Sequence, residues 1–185
     1  MATKDEIQEE LLCNPAYSSD WINYASTLIS EEKIDVHTAE TFSAPQLGVI
    51  IEAFKACSGK DDAQDFIDLI SSPALNDTQM RILLIAYQKG ADLSILRKYA
   101  DPKIPYDKSN YLLSALTEDG VDLSEYIEFS GDRIYEIYAG VKDGVDYTQY
   151  AKKCIPADVM SLYRHALAIG KTVTYDTVKK EMTIK

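Results

Sequence analysis

The sequence is poor in the residues that build metal sites and disulfide frameworks. It has 3 Cys and 2 His in 185 residues, and Cys13, Cys57 and Cys154 lie far apart in the chain, with neither histidine close to one of them. No two cysteines have the separation of about two to four residues that is typical of a zinc knuckle. We therefore expect no metal or other cofactor, and we expect the three cysteines to be buried free thiols.

Basic residues are also scarce. The 19 Lys and Arg face 30 Asp and Glu, which gives a net charge of −11. Direct binding to nucleic acid needs the opposite sign, so we expect none. The imbalance is local: residues 1–75 hold 14 acidic and 4 basic residues, whereas residues 76–185 hold 16 and 15. Two explanations stay open, a solvated acidic surface and an acidic face for a basic partner protein.

The sequence has no long apolar run. No stretch approaches the ~20 apolar residues that a membrane-spanning helix requires. The first ten residues are too acidic for a secretory signal peptide. With 46% hydrophobic and 26% charged residues, the composition is typical of a globular protein. We therefore expect a cytoplasmic protein that does not contact a membrane.

Catalytic motifs are few. Gly170-Lys171-Thr172 and Ser58-Gly59-Lys60 resemble the end of a phosphate-binding loop, but His165 and Phe54 stand where that motif needs its first glycine. His37 and His165 have no nucleophile or carboxylate at a recognisable motif spacing. We expect a protein that is not an enzyme. The alternative is an enzyme built on the two histidines and a cysteine that folding brings together.

What the sequence does contain is a recurring glycine motif. Gly90-Ala91-Asp92-Leu93-Ser94 returns as Gly120-Val121-Asp122-Leu123-Ser124 and Gly144-Val145-Asp146-Tyr147-Thr148, and a fainter copy begins at Gly170. Apolar residues at three- to four-residue spacing precede each glycine and predict a helix. Each glycine is expected to end its helix with a positive φ, and each Asp to accept the amides that begin a second short helix. One residue in each unit lies seven positions before the glycine and is expected to be buried: Leu83, Leu113, Ile137 and Tyr163.

Together these patterns predict an all-α fold, a stack of helical hairpins of the α-solenoid type, with a short β or extended C-terminal tail. Residues 1–42 would form an N-terminal helical cap, residues 43–170 about five hairpin units, and residues 171–185 the tail. For the tail, a hairpin, an extended strand and a capping helix all stay open. Residues 31–42 show no clear period and are expected to be a loop or one loose helical turn.

The segment Gln79-Met80, followed by Gly90-Ala91-Asp92-Leu93-Ser94 and Tyr99-Ala100-Asp101-Pro102, resembles a short tandem repeat of gut Firmicutes proteins and their mobile elements. Residues 79–103 match that repeat well, residues 107–151 moderately and residues 1–58 barely. The second copy departs from the repeat because Ser109-Asn110 stands in place of Gln-Met. The resemblance implies a repeat fold and a bacterial or phage source, and it implies no reaction.

Tyrosine is over-represented, with 13 Tyr against 4 Phe and 1 Trp. Each repeat unit has a first helix, which we call its first arm, and a second short helix, which we call its second arm. Tyr99, Tyr126 and Tyr150 fall in second arms, and we expect them in the core with their hydroxyls reaching water. Others are candidates for a contact surface, because tyrosine offers large area at low entropic cost. With the acidic residues of the first half, they make up the predicted partner-binding set: Glu31, Glu32, Asp35, Glu40, Asp61, Asp62, Asp65, Asp68, Tyr106, Tyr111, Tyr135 and Tyr138.

The function that these features predict is protein binding without catalysis, because stacked repeats create an extended binding face. The more specific hypothesis is a small acidic inhibitor of a bacterial protein that handles nucleic acid, encoded by a phage or mobile element, as anti-CRISPR proteins are. Its partner would then be a protein with a basic surface. The alternative is a housekeeping helical-repeat scaffold or regulatory subunit.

Overall fold

The protein is mostly helical in the computed structural model, which describes residues 2–185. The prediction of an all-α fold with a short β tail is confirmed. The helices are α1 (Lys4–Leu12), α2 (Ser19–Ser30), α3 (Val36–Ala39), α4 (Ala44–Cys57), α5 (Ala63–Ile70), α6 (Asp77–Gln88), α7 (Leu93–Tyr99), α8 (Tyr106–Asp119), α9 (Gly131–Lys142) and α10 (Ala157–Ala168). Two 3-10 turns, Ser124–Tyr126 and Tyr147–Gln149, precede α9 and α10, and strands β1 (Val173–Asp176) and β2 (Glu181–Ile184) follow α10.

The chain forms two compact units. The first contains the residues up to 88 together with 100–102, and the second contains residues 89–99 and 103–185. The first holds 16 acidic and five basic residues, and the second holds 14 of each. We name them the acidic unit and the balanced unit, because the first carries the whole net charge of the chain. The three-part division expected from the sequence, into cap, hairpin units and tail, stays a prediction.

In the acidic unit, α2 packs between α1 and α4, and α4 also packs against α5 and α6. The core is apolar and includes Leu28, Leu47 and Phe66, which are fully buried. Gln46 lies in the first turn of α4, where its side chain bonds the backbone of the N-cap residue Ser43 and donates to the Leu75 carbonyl at 2.6 Å. A buried amide that bonds at both ends costs little, and it fixes the start of α4 to the loop before α6.

In the balanced unit, α9 packs between α8 and α10, and α10 packs against β1. The two strands form an antiparallel hairpin in which Val173 pairs with Ile184. The Tyr163 hydroxyl donates to the Val173 carbonyl at 3.3 Å, and Val173 is buried. Of the three conformations left open for the tail, the hairpin is therefore the one that forms, and α10 anchors it.

The glycine motif has the predicted geometry. Gly90, Gly120 and Gly144 have φ of +90°, +70° and +67°, and the prediction of left-handed helix ends is confirmed. The motif carboxylates also accept the predicted hydrogen bonds from backbone amides. Asp92 accepts one from Ser94 at 2.7 Å, Asp122 from Ser124 at 2.8 Å and Asp146 from Thr148 at 3.2 Å. The four residues expected to be buried are all buried, as predicted: Leu83, Leu113, Ile137 and Tyr163.

The second arm of the repeat shortens along the chain. It is an eight-residue helix in α5 and a seven-residue helix in α7, but only a three-residue 3-10 turn at 124–126 and at 147–149. The predicted second helix is therefore wrong for the later two copies. The first arm keeps its length. In each unit a buried apolar residue precedes the first helix, and the glycine that follows this helix lies 15 to 17 residues further along the chain. Those buried residues are Phe42, Leu75, Ile104, Phe129 and Ile155.

One further expectation needs correction, and another is met. Cys57 is buried, but Cys13 and Cys154 are exposed. Residues 31–42 contain the four-residue helix α3, which begins at the side chain of Asp35 and agrees with the expected single helical turn.

The second-arm tyrosines are in the core, as predicted, but the hydroxyls of Tyr99 and Tyr150 form hydrogen bonds within the protein. The Tyr99 hydroxyl donates to Asp122 at 2.8 Å, and the Tyr150 hydroxyl donates to the Glu136 carbonyl at 3.1 Å. Burial first, and then the bond to Asp122, raises the pKa of Tyr99. These tyrosines are therefore built into the fold of the balanced unit.

Candidate protein-binding surfaces

The first group of predicted acidic residues surrounds α3 in the acidic unit. Asp35 caps α3 and accepts the Thr38 amide at 2.7 Å, which lowers the pKa of its carboxyl. Glu40 accepts a hydrogen bond from the Tyr17 hydroxyl and lies 3.6 Å from His37. Asp35 and Glu40 therefore help to hold the fold.

Glu31 and Glu32 complete this group. Both are exposed, and neither forms a side-chain hydrogen bond or ion pair within the part of the chain that the structure describes. Glu32 ends α2 with φ +55°, a conformation in which glycine is the favoured residue. A carboxylate at this position therefore costs some backbone strain without serving the packing of the unit.

The second group lies on and before α5. All four carboxylates are exposed, and Asp65 and Asp68 lie on the outer side of the amphipathic helix α5. Asp62 accepts a bond from the Tyr87 hydroxyl at 2.5 Å, and Asp68 accepts one from Gln64 at 2.7 Å. Asp65 is engaged as well. Asp61 is the member of this group without a bonded partner among residues 2–185.

Both groups flank the pair of helices α2 and α4, since α3 packs against α2, and α5 packs against α4. The carboxylates are therefore spread over the surface of the acidic unit. In the described part of the chain, no group of three or more His, Cys, Asp and Glu is arranged to hold a metal ion.

An apolar groove lies beside the first acidic group. A depression of about 390 Å³ is lined by Ile7 and Leu11 of α1 and by Ile29 at the end of α2. A second depression of about 630 Å³ continues from it, since Ile29, Glu32 and Val36 line both. We name the joined depressions the α1–α3 groove.

The sequence did not identify this groove as a candidate site. Ile34 and Val36 line it, and they come from the segment of residues 31–42 that has no clear period. The signal that was present is Val36 itself, an apolar residue between charged neighbours that remains 40% exposed in the fold. A single exposed apolar residue is ordinary, but Val36 adjoins other apolar residues of the same depressions, and a contiguous apolar surface is a common mark of a contact site.

The predicted tyrosines of the balanced unit come together only in part. Tyr111 on α8 lies between two tyrosines of α9, with ring centroids 5.3 Å from Tyr135 and 5.5 Å from Tyr138. Such separations are typical of aromatic pairs. Tyr106 is 47% exposed and takes no part in these ring contacts. Three of the four tyrosines thus form one half-exposed aromatic cluster.

Both histidines lie close to nearby polar groups, and one of the three cysteines is buried. Nδ1 of His165 lies 2.7 Å from the Ser161 carbonyl of its own helix, and His37 lies beside Glu40. Burial raises the pKa of the Cys57 thiol, which disfavours the reactive thiolate. Lys60 belongs to Ser58-Gly59-Lys60, which resembles the end of a phosphate-binding loop. Its ammonium lies 3.9 Å from the centroid of the Tyr87 ring.

Comparison with known proteins finds no family model, curated protein or solved structure that matches the chain. The resemblance to a Firmicutes tandem repeat stays a prediction. No helix within residues 2–185 is both long enough and apolar enough to cross a membrane.

Proposed function

We propose that the protein is a non-catalytic binding module whose acidic unit binds a basic surface on another protein. The observation that carries this proposal is the charge of that unit, 16 acidic against five basic residues. Its predicted acidic residues are exposed, and the side chains of Glu31, Glu32 and Asp61 form no hydrogen bond or ion pair within residues 2–185. A concentrated field of one sign attracts a partner of the opposite sign and speeds association.

The partner class follows from the charge. Basic grooves on proteins commonly bind the phosphate backbone of nucleic acid, and an acidic surface of this kind competes for the same groove. On this proposal the protein acts in the cytoplasm as an inhibitor of a nucleic-acid-handling protein, in the manner of anti-CRISPR proteins.

The test is a charge-reversal variant with a matched control. D61K/D68K reverses the charge of two exposed carboxylates at α5. Asp62 is left unchanged because it accepts a hydrogen bond from the Tyr87 hydroxyl. E128K/E181K makes the same change in charge at two exposed positions of the balanced unit. Each protein is immobilised and incubated with a nuclease-treated bacterial lysate, and bound proteins are eluted with salt and identified by mass spectrometry.

We expect wild type and the control to capture the same basic proteins, and D61K/D68K to capture about tenfold less of them, a loss that corresponds to about 1.4 kcal/mol. Equal capture by both double variants would overturn the role of the acidic unit. Each captured protein is then tested for binding to labelled DNA or RNA in the presence of the wild-type acidic protein. Captured proteins that keep their nucleic acid would overturn the inhibitory role and leave the binding role standing.

A further inference from the structure

The α1–α3 groove combines an apolar floor with an acidic rim. Ile7 and Leu11 are one helical turn apart on α1 and form one wall, and Ile29 faces the same depression from α2. Ile34 and Val36 extend the apolar surface into the second depression. Val36 is 40% exposed, so part of this surface remains in contact with water.

Three carboxylates line the same groove. Glu10 lines the first depression, Asp35 the second, and Glu32 both. Lys33 is the basic residue that lines it, and its ammonium lies 5.0 Å from the centroid of the Phe54 ring. The rim is therefore predominantly negative, in a unit that is already strongly acidic.

We propose that the α1–α3 groove binds an amphipathic basic helix of the partner protein, with a strip of apolar side chains on the floor and Lys or Arg against the rim. This inference rests on the proposed function, since it names the part of a basic partner that the acidic unit holds. An apolar strip without basic flanks would leave the carboxylates of Glu10 and Glu32 beside it without a basic partner. A purely basic segment would leave the floor exposed. Only a segment with both features matches both surfaces.

The probe is a synthetic peptide of about 18 residues with leucines at helical spacing and lysines at the remaining positions. A peptide of the same composition with the leucines dispersed serves as its control. Binding is measured by titration calorimetry at about 150 mM salt, where long-range attraction is screened. We expect the patterned peptide to bind about tenfold more tightly than the scrambled one, or more.

Two protein variants separate the groove from the general charge. V36K places a lysine in the groove, and L12K places one at an exposed apolar position of α1 that does not line either depression. Both change the net charge equally. We expect V36K to weaken binding of the patterned peptide about tenfold and L12K to weaken it about twofold or less.

A third variant removes a rim carboxylate without harming the backbone. E32G introduces the residue favoured at a positive φ, so the midpoint of thermal unfolding should stay constant or rise. Its affinity for the patterned peptide should fall about threefold. A stable E32G protein with unchanged affinity would overturn the role of the rim.

Equal binding of the two peptides, or equal effects of V36K and L12K, would overturn the proposal, because general electrostatic attraction would then explain the binding. Sedimentation of the protein alone supplies another contrary outcome. A dimer that V36K dissociates would show that a second copy of this chain occupies the groove. If V36K captures the same lysate proteins as wild type while D61K/D68K does not, the groove inference fails and the proposed function stands.

Discussion

The acidic unit and the balanced unit differ in how many basic residues accompany their carboxylates. In the balanced unit, the Lys142 ammonium lies 2.9 Å from the Glu118 carboxylate and 2.8 Å from the Asp119 carboxylate. The motif carboxylates of the same unit accept backbone amides, as Asp122 does from Ser124. In the acidic unit, carboxylates outnumber bases about threefold, and Glu31 has no partner among the described residues.

The comparison shows that the number of acidic residues does not indicate what they do. The two units differ by only two acidic residues, 16 against 14, but by nine basic ones, five against 14. A carboxylate paired within its own unit has little charge left for a partner, whereas an unpaired exposed one contributes to the field outside the protein. Two ion pairs, one from each unit, allow this difference to be measured.

The largest expected effect comes from Arg164 in the balanced unit. Its guanidinium lies 3.0 Å from Glu136 and 2.5 Å from Asp143, and its side chain is 12% exposed. R164M keeps most of the apolar stem and removes the charge, which leaves Glu136 buried without its partner. We expect a loss of about 3 kcal/mol in the free energy of unfolding, measured by urea denaturation.

The matched change in the acidic unit is R81M. Arg81 lies 2.9 Å from Glu52, and both side chains are about half exposed, at 49% and 50%. Solvent screening limits such a pair to roughly 0–1 kcal/mol. A loss as large as that of R164M would contradict the view that the two units use their charges differently.

Two helical glycines make a second comparison. A Cβ at Gly140 in α9 would lie 1.8 Å from the hydroxyl oxygen of Tyr150, which is fully buried. A Cβ at Gly48 in α4 would meet the Tyr24 ring at an ordinary 3.6 Å. We expect G140A to destabilise by about 1–3 kcal/mol because Tyr150 must move. We expect G48A to stabilise by about 0.5–1 kcal/mol, because alanine is the better helix former.

Thermal unfolding followed by circular dichroism measures both changes. If G140A were as stable as wild type, the close approach of Tyr150 to α9 would not be required for the fold. If G48A were destabilised as much as G140A, the packing of Tyr24 on α4 would be tighter than the 3.6 Å separation indicates.

The parts of the fold that the sequence predicted are those set by local chemistry. Gly90 ends its helix, Asp92 begins the next, and Leu83 is buried, because spacing of a few residues determines each of these features. The shortening of the second arm was not predictable. Tyr126 and Tyr150 are buried there although the arm is only a three-residue 3-10 turn. That packing depends on neighbours distant in the sequence.

The candidate surfaces were predictable to a smaller degree. Composition located the acidic residues, but it could not distinguish Asp61, which is unpaired in the described structure, from Asp62, which bonds Tyr87. The α1–α3 groove was missed because α1 and the segment after α2 form it together, and no spacing within either one marks it. Tertiary contacts decide which charges and apolar residues are left for a partner.

The smallest expected effect concerns one motif carboxylate. Burial alone would raise the pKa of Asp122, but hydrogen bonds from the Ser124 amide, the Tyr99 hydroxyl and the Ser124 hydroxyl outweigh it and lower the pKa below the ordinary 3.8. D122N keeps the side-chain oxygen and loses the charge. We expect it to cost about 1 kcal/mol of unfolding free energy at neutral pH. D61N, which changes an exposed and unpaired carboxylate of the acidic unit, should stay within about 0.5 kcal/mol of wild type.

The pH dependence of D122N tests whether the charge of Asp122 causes this effect. Because its folded pKa is lowered, the carboxylate stabilises the fold above the unfolded value of 3.8, and this contribution is lost as the pH falls through the folded pKa. The difference between wild type and D122N should therefore be largest near neutral pH and shrink below about pH 4. Urea denaturation at several pH values measures it. A difference that stays constant down to low pH would mean that the shape of the side chain, and not its charge, supports the turn. The carboxylates of the two units would then differ less than their bonding partners indicate.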